Sequence, residues 1–340
     1  MKDTIKKLVE AYGPSGYESQ VRAIIREEIE GIADEIRVDA LGNLIARKGK
    51  QSADGLKVML SAHMDEIGVM VAYIDAKGFG RFTPIGGVSP LTLIGNRVRF
   101  ANGTVGTIHI DEGMGAWRGK APDISKMYID TGATSPDDAP IQVGDAAGFV
   151  RTMDEAGDRI IAKSLDDRIS CSVLIETMRH LDALGTSTHA VYFVFSVQEE
   201  VGLVGARTSA YGIDPDLGIA VDVTLTGDTP DATPMAVELG KGPAIKVMDG
   251  GMLAHPLVKD LMIQRAENAE IPYQLEILRG GTTDARAIQT VRAGVPSGCV
   301  SIPTRYVHTP SEMVDLNDVQ NAVKLLVEIL AQPINLDHEP

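Results

Sequence analysis

The sequence predicts an α/β fold interrupted by a small β-rich unit, and three observations point to it. Two helical patterns followed by apolar runs of strand length open the chain, and helix and strand patterns alternate again in its second half. From about Gly78 to Val150 the character changes to short β-type runs punctuated by Gly and Pro, such as NRVRFANGTVGTIHI. The third observation is positional. Carboxylates and imidazoles gather at the C-terminal ends of the strand-like runs, where open α/β sheets hold their ligands.

Two helices open the chain. In MKDTIKKLVEAYG, Ile5, Leu8 and Val9 share one side, and after the turn cluster Gly13-Pro14-Ser15-Gly16 the residues Val21, Ile24, Ile25 and Ile29 recur at helical spacing between Glu18 and Glu30. No uninterrupted apolar segment follows the first lysines, so this N-terminus reads as part of the fold and not as an export signal. Strand-like runs follow at IRVDALGNLIARKG and LKVMLSAHMDEIGVMVAYI. Beyond the β-rich unit, SCSVLIETMRHLDAL reads as a helix, AVYFVFSV and DLGIAVDV as buried strands, and PLVKDLMIQRAENAE as a helix leading into YQLEIL. LNDVQNAVKLLVEILAQ is a further helix, with Val319, Ala322, Val323 and Leu326 on one face. No run approaches the roughly twenty apolar residues of a membrane span.

Composition removes several function classes. The 340 residues are 44% apolar and 23% charged, ordinary for a chain with a large buried core. A net charge of -15 repels phosphate backbones and anionic lipid, so neither nucleic acid nor membrane is an expected partner. Cys171 and Cys299 are the only cysteines, too few for a disulfide framework, and they fit a reduced, cytoplasmic setting.

Five clusters carry chemistry. In the first, KVMLSAHMDEIG, an apolar strand ends at His63, with Asp65 two residues on; in extended chain the two point the same way, so Asp65 can accept the second ring N–H of His63. Alone, a His-x-Asp is more often an ordinary polar strand end. Asp166 and Asp167 in AKSLDDRISC precede a helix expected to begin near Ser170; one Asp would cap it, and the surplus charge suits a ligand bridging two cations. The apolar strand VYFVFSV runs into Glu199-Glu200, where cations would compensate two carboxylates and where one glutamate could ligate while the other serves as free base. Asp222 sits inside an apolar strand, and Tyr306 and His308 follow another. Together these residues form a hard-to-borderline donor set for two zinc, cobalt or manganese ions plus one base.

Other features are set aside. GAWRGK at 115–120 is one residue short of a phosphate-binding loop, with Ala121 where Ser or Thr is needed. His109 repeats the His-x-Asp spacing with Asp111 but falls in the β-rich unit, and His180, His189, His255 and His338 have no acidic partner at a useful spacing. Cys171 and Cys299 lie in buried patterns that favour packing over nucleophilic roles.

GPSGYE at 13–18, DALGNLIA at 39–46, SAHMDEIG, MYIDTGA at 127–133, VGD at 143–145, KSLDDR, VQEEVGLVGA, AVDV, GGTTDA at 280–285 and SIPTRYVHTPSEMV together resemble the tetrahedral aminopeptidase family of dinuclear metallopeptidases, also called the glutamyl aminopeptidase or endoglucanase-M-like family. The resemblance runs end to end. It implies a mixed-sheet α/β/α catalytic domain from residues 1–66 and 162–340, interrupted by a small β-barrel-like insertion at 67–161 used in subunit assembly. It further implies that His63 and Asp222 hold one divalent ion (zinc, cobalt or manganese), Glu200 and His308 the other, and that Asp166 bridges them. Glu199 would be the base, Asp65 would orient His63, the Asp166–Asp167 peptide would be cis, and Gly280, Gly281, Thr282 and Asp284 would line the substrate pocket. The implied partners are peptides with a free N-terminus and further copies of the chain, in dodecamers assembled from dimers. GAWRGKAPDIS departs from the Pro-His-containing segment expected there. A di-metal deacylase or dipeptidase of the acylase type, and a metal-binding assembly protein without catalysis, remain the alternatives to an aminopeptidase.

Overall fold

Both apolar stripes near the N-terminus form helices, α1 (Lys2–Glu10) and α2 (Ser19–Ile29), which bury Ile5, Leu8 and Val9 and then Val21, Ile25 and Ile29. The computed structural model describes residues 1–53, 55–111, 121–185 and 188–336, so the GAWRGK stretch and His338 lie outside the described residues. Strands β1 (Glu35–Val38), β2 (Leu44–Lys48) and β3 (Lys57–His63) come next and belong to the main sheet.

Six strands then build a separate unit: β4 (Gly68–Ile74), β5 (Gly80–Ile85), β6 (Arg97–Phe100), β7 (Val105–Ile110), β8 (Met127–Asp130) and β9 (Ala146–Phe149). They close a barrel in the order β4-β5-β8-β7-β6-β9, filled by Val69, Phe82, Val98, Ile108, Ile129 and Phe149 among others. Closure leaves no sheet edge exposed, which lets strands this short form a stable body. The expected insertion at 67–161 is wider than this barrel. Strands β10 (Asp154–Ala156) and β11 (Arg159–Ala162) pair with each other, and β11 pairs onward with the strand Glu312–Asp315 of the main sheet. The reason is burial, since Ile160 and Ala162 point into the core of the larger domain.

The chain continues through α3 (Leu165–Leu184), β12 (Ala190–Ser196), α4 (Val204–Ile213), β13 (Leu217–Thr224), β14 (Ala244–Met248), α5 (Pro256–Asn268), β15 (Gln274–Ile277), α6 (Asp284–Gln289), β16 (Ser297–Arg305), β17 (Glu312–Asp315) and α7 (Leu316–Leu330). The main sheet runs β1-β2-β12-β3-β13-β16-β17-β11-β10, with β14 added on β16 and β15 on β14. Its centre, β12-β3-β13-β16, is parallel, whereas β2 and β17 flank it antiparallel, so the sheet is mixed.

Helices cover both faces. Val58 and Leu60 of β3, Phe193 and Phe195 of β12, and Ile219 and Val221 of β13 pack with α1, α2, α3, α5 and α7. The alternate residues Met59 and Val194 pack on the other face against Ala206 and Ala210 of α4 and Ala287 and Ile288 of α6. Burial on both faces explains why these strands read as continuous apolar runs. The mixed-sheet α/β/α domain with a small barrel is thus the observed architecture. Helices α4 and α6 carry no readable stripe, because their sheet-facing surfaces are small residues: an ideal Cβ at Gly205 would collide with Asn43 and the Val197 backbone.

One buried cation ties the start of the chain to the centre. Arg168 is fully buried; it donates to the carbonyls of Leu8 (3.0 Å), Ala11 (2.6 Å), Gly13 (3.1 Å) and Met64 (3.1 Å), and lies 3.1 Å from Glu66 Oε1. Replacing Arg168 with Ala strands those acceptors and takes from the buried Glu66 one of its two cationic partners, so chemical denaturation should show a loss of about 3–5 kcal/mol. A loss below about 1 kcal/mol would mean that the network is dispensable.

Candidate metal centre

Parallel strands bring their C-terminal ends to one edge, and that edge collects the charged residues. His63 ends β3, and in the β3–β12 register it stands opposite Ser196, the last residue of β12, so the Glu199-Glu200 turn emerges beside it. Asp222 lies on β13, His308 follows β16, and Asp166 stands at the head of α3. At Asp166 and Asp167 the backbone is not helical and the peptide between them is cis, so regular helix starts just beyond them, slightly earlier than the expected Ser170.

Two groups of three ligands share one member. Atoms of His63, Asp166 and Asp222 lie within 4.8 Å of one another, as do atoms of Asp166, Glu200 and His308. Asp166 spans the two: its Oδ1 is 3.0 Å from His63 Nε2 and its Oδ2 is 3.2 Å from His308 Nε2. Glu200 Oε2 is 3.3 Å from His308 Nε2. Glu199 belongs to neither group, yet its Oε2 is only 3.9 Å from His63 Nε2.

Surrounding groups orient these side chains. His63 Nδ1 meets the backbone carbonyl of Asp65 at 3.0 Å, closer than the Asp65 carboxylate at 3.5 Å. Asp65 thus faces the ring with both its carbonyl and its carboxylate. That carboxylate also accepts from Ser15 Oγ (2.6 Å) and from the backbone N–H groups of Glu199 (3.0 Å) and Glu200 (3.2 Å), and so pins the turn that carries both glutamates. Asp167, fully buried, accepts the backbone N–H of His63 at 3.2 Å. His308 Nδ1 faces the Gly87 carbonyl at 3.1 Å, just past the end of barrel strand β5; an ideal Cβ on Gly87 would overlap the imidazole, so the barrel reaches the centre through a position only glycine can fill.

The electrostatics call for positive charge. Burial, reinforced by Asp222, Asp284 and Glu200, pushes the Glu199 carboxyl well above the usual carboxylate range; burial and Asp166 raise Glu200, and burial also raises Asp222 and Asp167. Asp166 goes the other way. Burial alone would raise it, but its bonds to His308 and His63 hold it down. Burial would lower both imidazoles, yet the facing carboxylates win: His63 is raised well above its ordinary value and His308 is pushed up to about 12. Buried Glu200 Oε1 and Asp167 Oδ1 have no hydrogen-bond partner among the described residues. Imidazole nitrogen, carboxylate oxygen and an orphaned ligand oxygen fit two divalent cations of the zinc, cobalt or manganese kind.

The cluster opens into a cleft of about 770 Å³ whose wall includes Gly280, Gly281 and Thr282. Asp284, expected beside them, is absent from that wall. Its carboxylate turns back into the sheet, 2 % exposed, to accept from Ser61 Oγ (2.7 Å) and Ser196 Oγ (2.6 Å), and acts on the centre from behind by raising Glu199 and Asp222. Sequence reasoning also passed over Lys246, which reaches the cleft from β14 and lies 2.9 Å from Glu276, and Glu312, which accepts backbone N–H groups of Asp166 and His308. Glu312 stands inside SIPTRYVHTPSEMV, four residues past His308, so its place in that stretch was the available signal.

Known proteins share this arrangement of fold and chain. A model of the M42 glutamyl aminopeptidase family matches residues 42–325. A putative aminopeptidase of Acetivibrio thermocellus is 50% identical over 333 residues, covering 97% of this chain and 98% of that one. The solved aminopeptidase of Desulfurococcus kamchatkensis superposes with a TM-score of 0.91 at 40% identity, covering 96% and 93% of the two chains. The TET1 peptidase of Pyrococcus horikoshii, described as able to assemble into a tetrahedron or a large octahedral shell, gives 0.86 at 31% identity, with 97% and 98% covered.

Cation uptake should depend on pH with a definite sign. His63, His308, Glu199, Glu200 and Asp222 all have raised pKa values, so the cation-free centre holds extra protons, which ligation must expel. Affinity therefore rises with pH. Calorimetry of chelated protein loaded with Zn²⁺ in buffers of different ionisation enthalpy should register net proton release, and binding without release would contradict this account.

Proposed function

The chain belongs to the M42 glutamyl aminopeptidase family, the family its sequence resembles, and on that premise we propose that it removes N-terminal residues from peptides at a two-cation centre with Glu199 as general base. Aminopeptidase chemistry follows from the membership. The finer reading rests above all on one observation: the Asp166 carboxylate stands between two imidazoles while Glu199, belonging to neither ligand group, lies 3.9 Å from one of them.

In this reading His63 and Asp222 hold one ion, Glu200 and His308 the other, and Asp166 contacts both. When bound, the ions lower the pKa of a water molecule and polarise the scissile carbonyl. Glu199 takes the proton of the attacking water and returns it to the leaving amine, a role suited to a carboxyl raised by burial. Asp65, through the N–H groups of Glu199 and Glu200, keeps base and ligand in register. Gly280, Gly281 and Thr282 line the path of the peptide. We extend the reading to assembly into dodecamers built from dimers, supported by the assembling relative and by a barrel that forms a body of its own, and to a cytoplasmic setting, supported by two buried free thiols.

Two measurements test it. Glu199→Gln should retain both ions by elemental analysis while kcat falls at least about 100-fold; full activity in this variant would remove Glu199 from its role. Aminoacyl-anilides and longer unblocked peptides should be cleaved from the first residue after chelation and re-addition of zinc, cobalt or manganese, and N-acetylated peptides should be left intact. Preferential cleavage of the acetylated set would instead favour a deacylase of the acylase type, and binding of both ions without turnover would favour an assembly protein.

A further inference from the structure

Glu312 opens β17, is 2 % exposed, and joins two segments far apart in sequence. Its Oε2 accepts the backbone N–H of Asp166 at 2.9 Å, and its Oε1 accepts the backbone N–H of His308, also at 2.9 Å. Both recipients need support. His308 and, two residues earlier, Tyr306 hold the left-handed backbone that non-glycine residues seldom adopt, with φ of 62° and 61°, and Asp166 is non-helical at the head of a helix. A carboxylate is rigid and planar, so two bonds to its two oxygens fix the spacing of the two backbones.

The two ligand groups differ in what else holds them. The His63 side chain is 2% exposed, and its backbone and ring are gripped by Asp167 and by the Asp65 carbonyl, neither of which involves Glu312. The His308 side chain is 36% exposed and stands in an open loop, braced by the Gly87 carbonyl and by Glu312. We propose that Glu312 is a positioning residue for the cation position formed by Asp166, Glu200 and His308: by locking Asp166 and His308 together it braces two of that position's three ligands, against the shared Asp166 alone at the His63–Asp222 position, and so sets the affinity of the first far more than that of the second. The proposal rests on the two-cation reading above.

The test is a metal titration that does not depend on turnover. Chelated full-length protein, wild type and Glu312→Gln, is titrated with Zn²⁺ and with Co²⁺ by calorimetry, and bound metal is counted after desalting. Wild type should take up two ions per chain. Glutamine keeps the size and one acceptor but turns an NH₂ group toward the second N–H, so the variant should keep the tighter ion and bind the weaker one about 10–100-fold less well. Raising the Co²⁺ concentration should restore peptidase activity, a rescue that general loosening of the fold would not permit. Should Glu312→Gln fail to fold, the same titration on Glu312→Asp, which keeps the charge with a shorter reach, decides the matter by the same selective weakening. Unchanged affinity at both positions, or equal weakening of both, overturns the proposal. Fewer than two ions on the wild type would instead refute the two-cation reading, and this proposal with it.

Discussion

Like charge held out of water at the edge of a parallel sheet is the constraint around which the rest of the structure is arranged. Asp166, Asp167 and Asp222 are buried, Glu199 and Glu200 nearly so, and among the described residues two imidazoles stand within ion-pair distance of Asp166, Glu199 and Glu200. Carboxylates in such a setting either take up protons or recruit cations. Burial pushes the pKa of four of the five upward, which is the pull toward protons, and the ligand spacing is what would accommodate cations instead. Only rigid scaffolding keeps such groups from swinging into solvent. Here it comes from strands buried on both faces, whose ends cannot shift without opening the core.

The barrel takes part in this arrangement. Gly86 and Gly87, at the close of β5, press against Glu200 and His308, and a Cβ at Gly86 would come within 3.0 Å of Glu200 Oε2. At its base, the buried Glu66 lies 2.6 Å from Lys163 and 3.1 Å from Arg168, next to the residues that lead into Asp166. The junction between the two bodies is therefore continuous with the centre. A change in how the barrel sits would be felt first by the His308 side of the cluster.

Much of this was legible in the sequence, because the strongest signals were local. Strands buried on both faces produce unbroken apolar runs; His63 and the Glu199-Glu200 pair stand at the ends of such runs, and Asp222 stands out as a lone carboxylate within one. Helices α4 and α6 were missed because small residues such as Gly205 and Ala206 pack by close approach and leave no apolar stripe. The hairpin of β10 and β11 reads with the barrel because its partner, β17, lies about 150 residues later, beyond the range of any periodicity. Asp284 was misplaced for a related reason. The GGTTDA turn marks a loop, but only the fold shows that the last carboxylate folds back onto Ser61 and Ser196.

The least legible part was the support of the ligands, since it runs through backbone N–H groups that nearly every residue carries. Asp65 holds Glu199 and Glu200 by their main chain, and Glu312 holds Asp166 and His308 in the same way. Such bonds leave no trace in the identity of the residue being held. They also explain why carboxyl groups serve as the braces, because two oxygens on one side chain take two N–H donors at once; at Asp65, held low by His63 and Ser15, the acceptor is ionised and its bonds are the stronger for it. The cost there is further negative charge beside a cluster already rich in it, which strengthens the demand for cations. Support and ligation are thus coupled, because the groups that fix the geometry of the centre also deepen the field that draws metal into it.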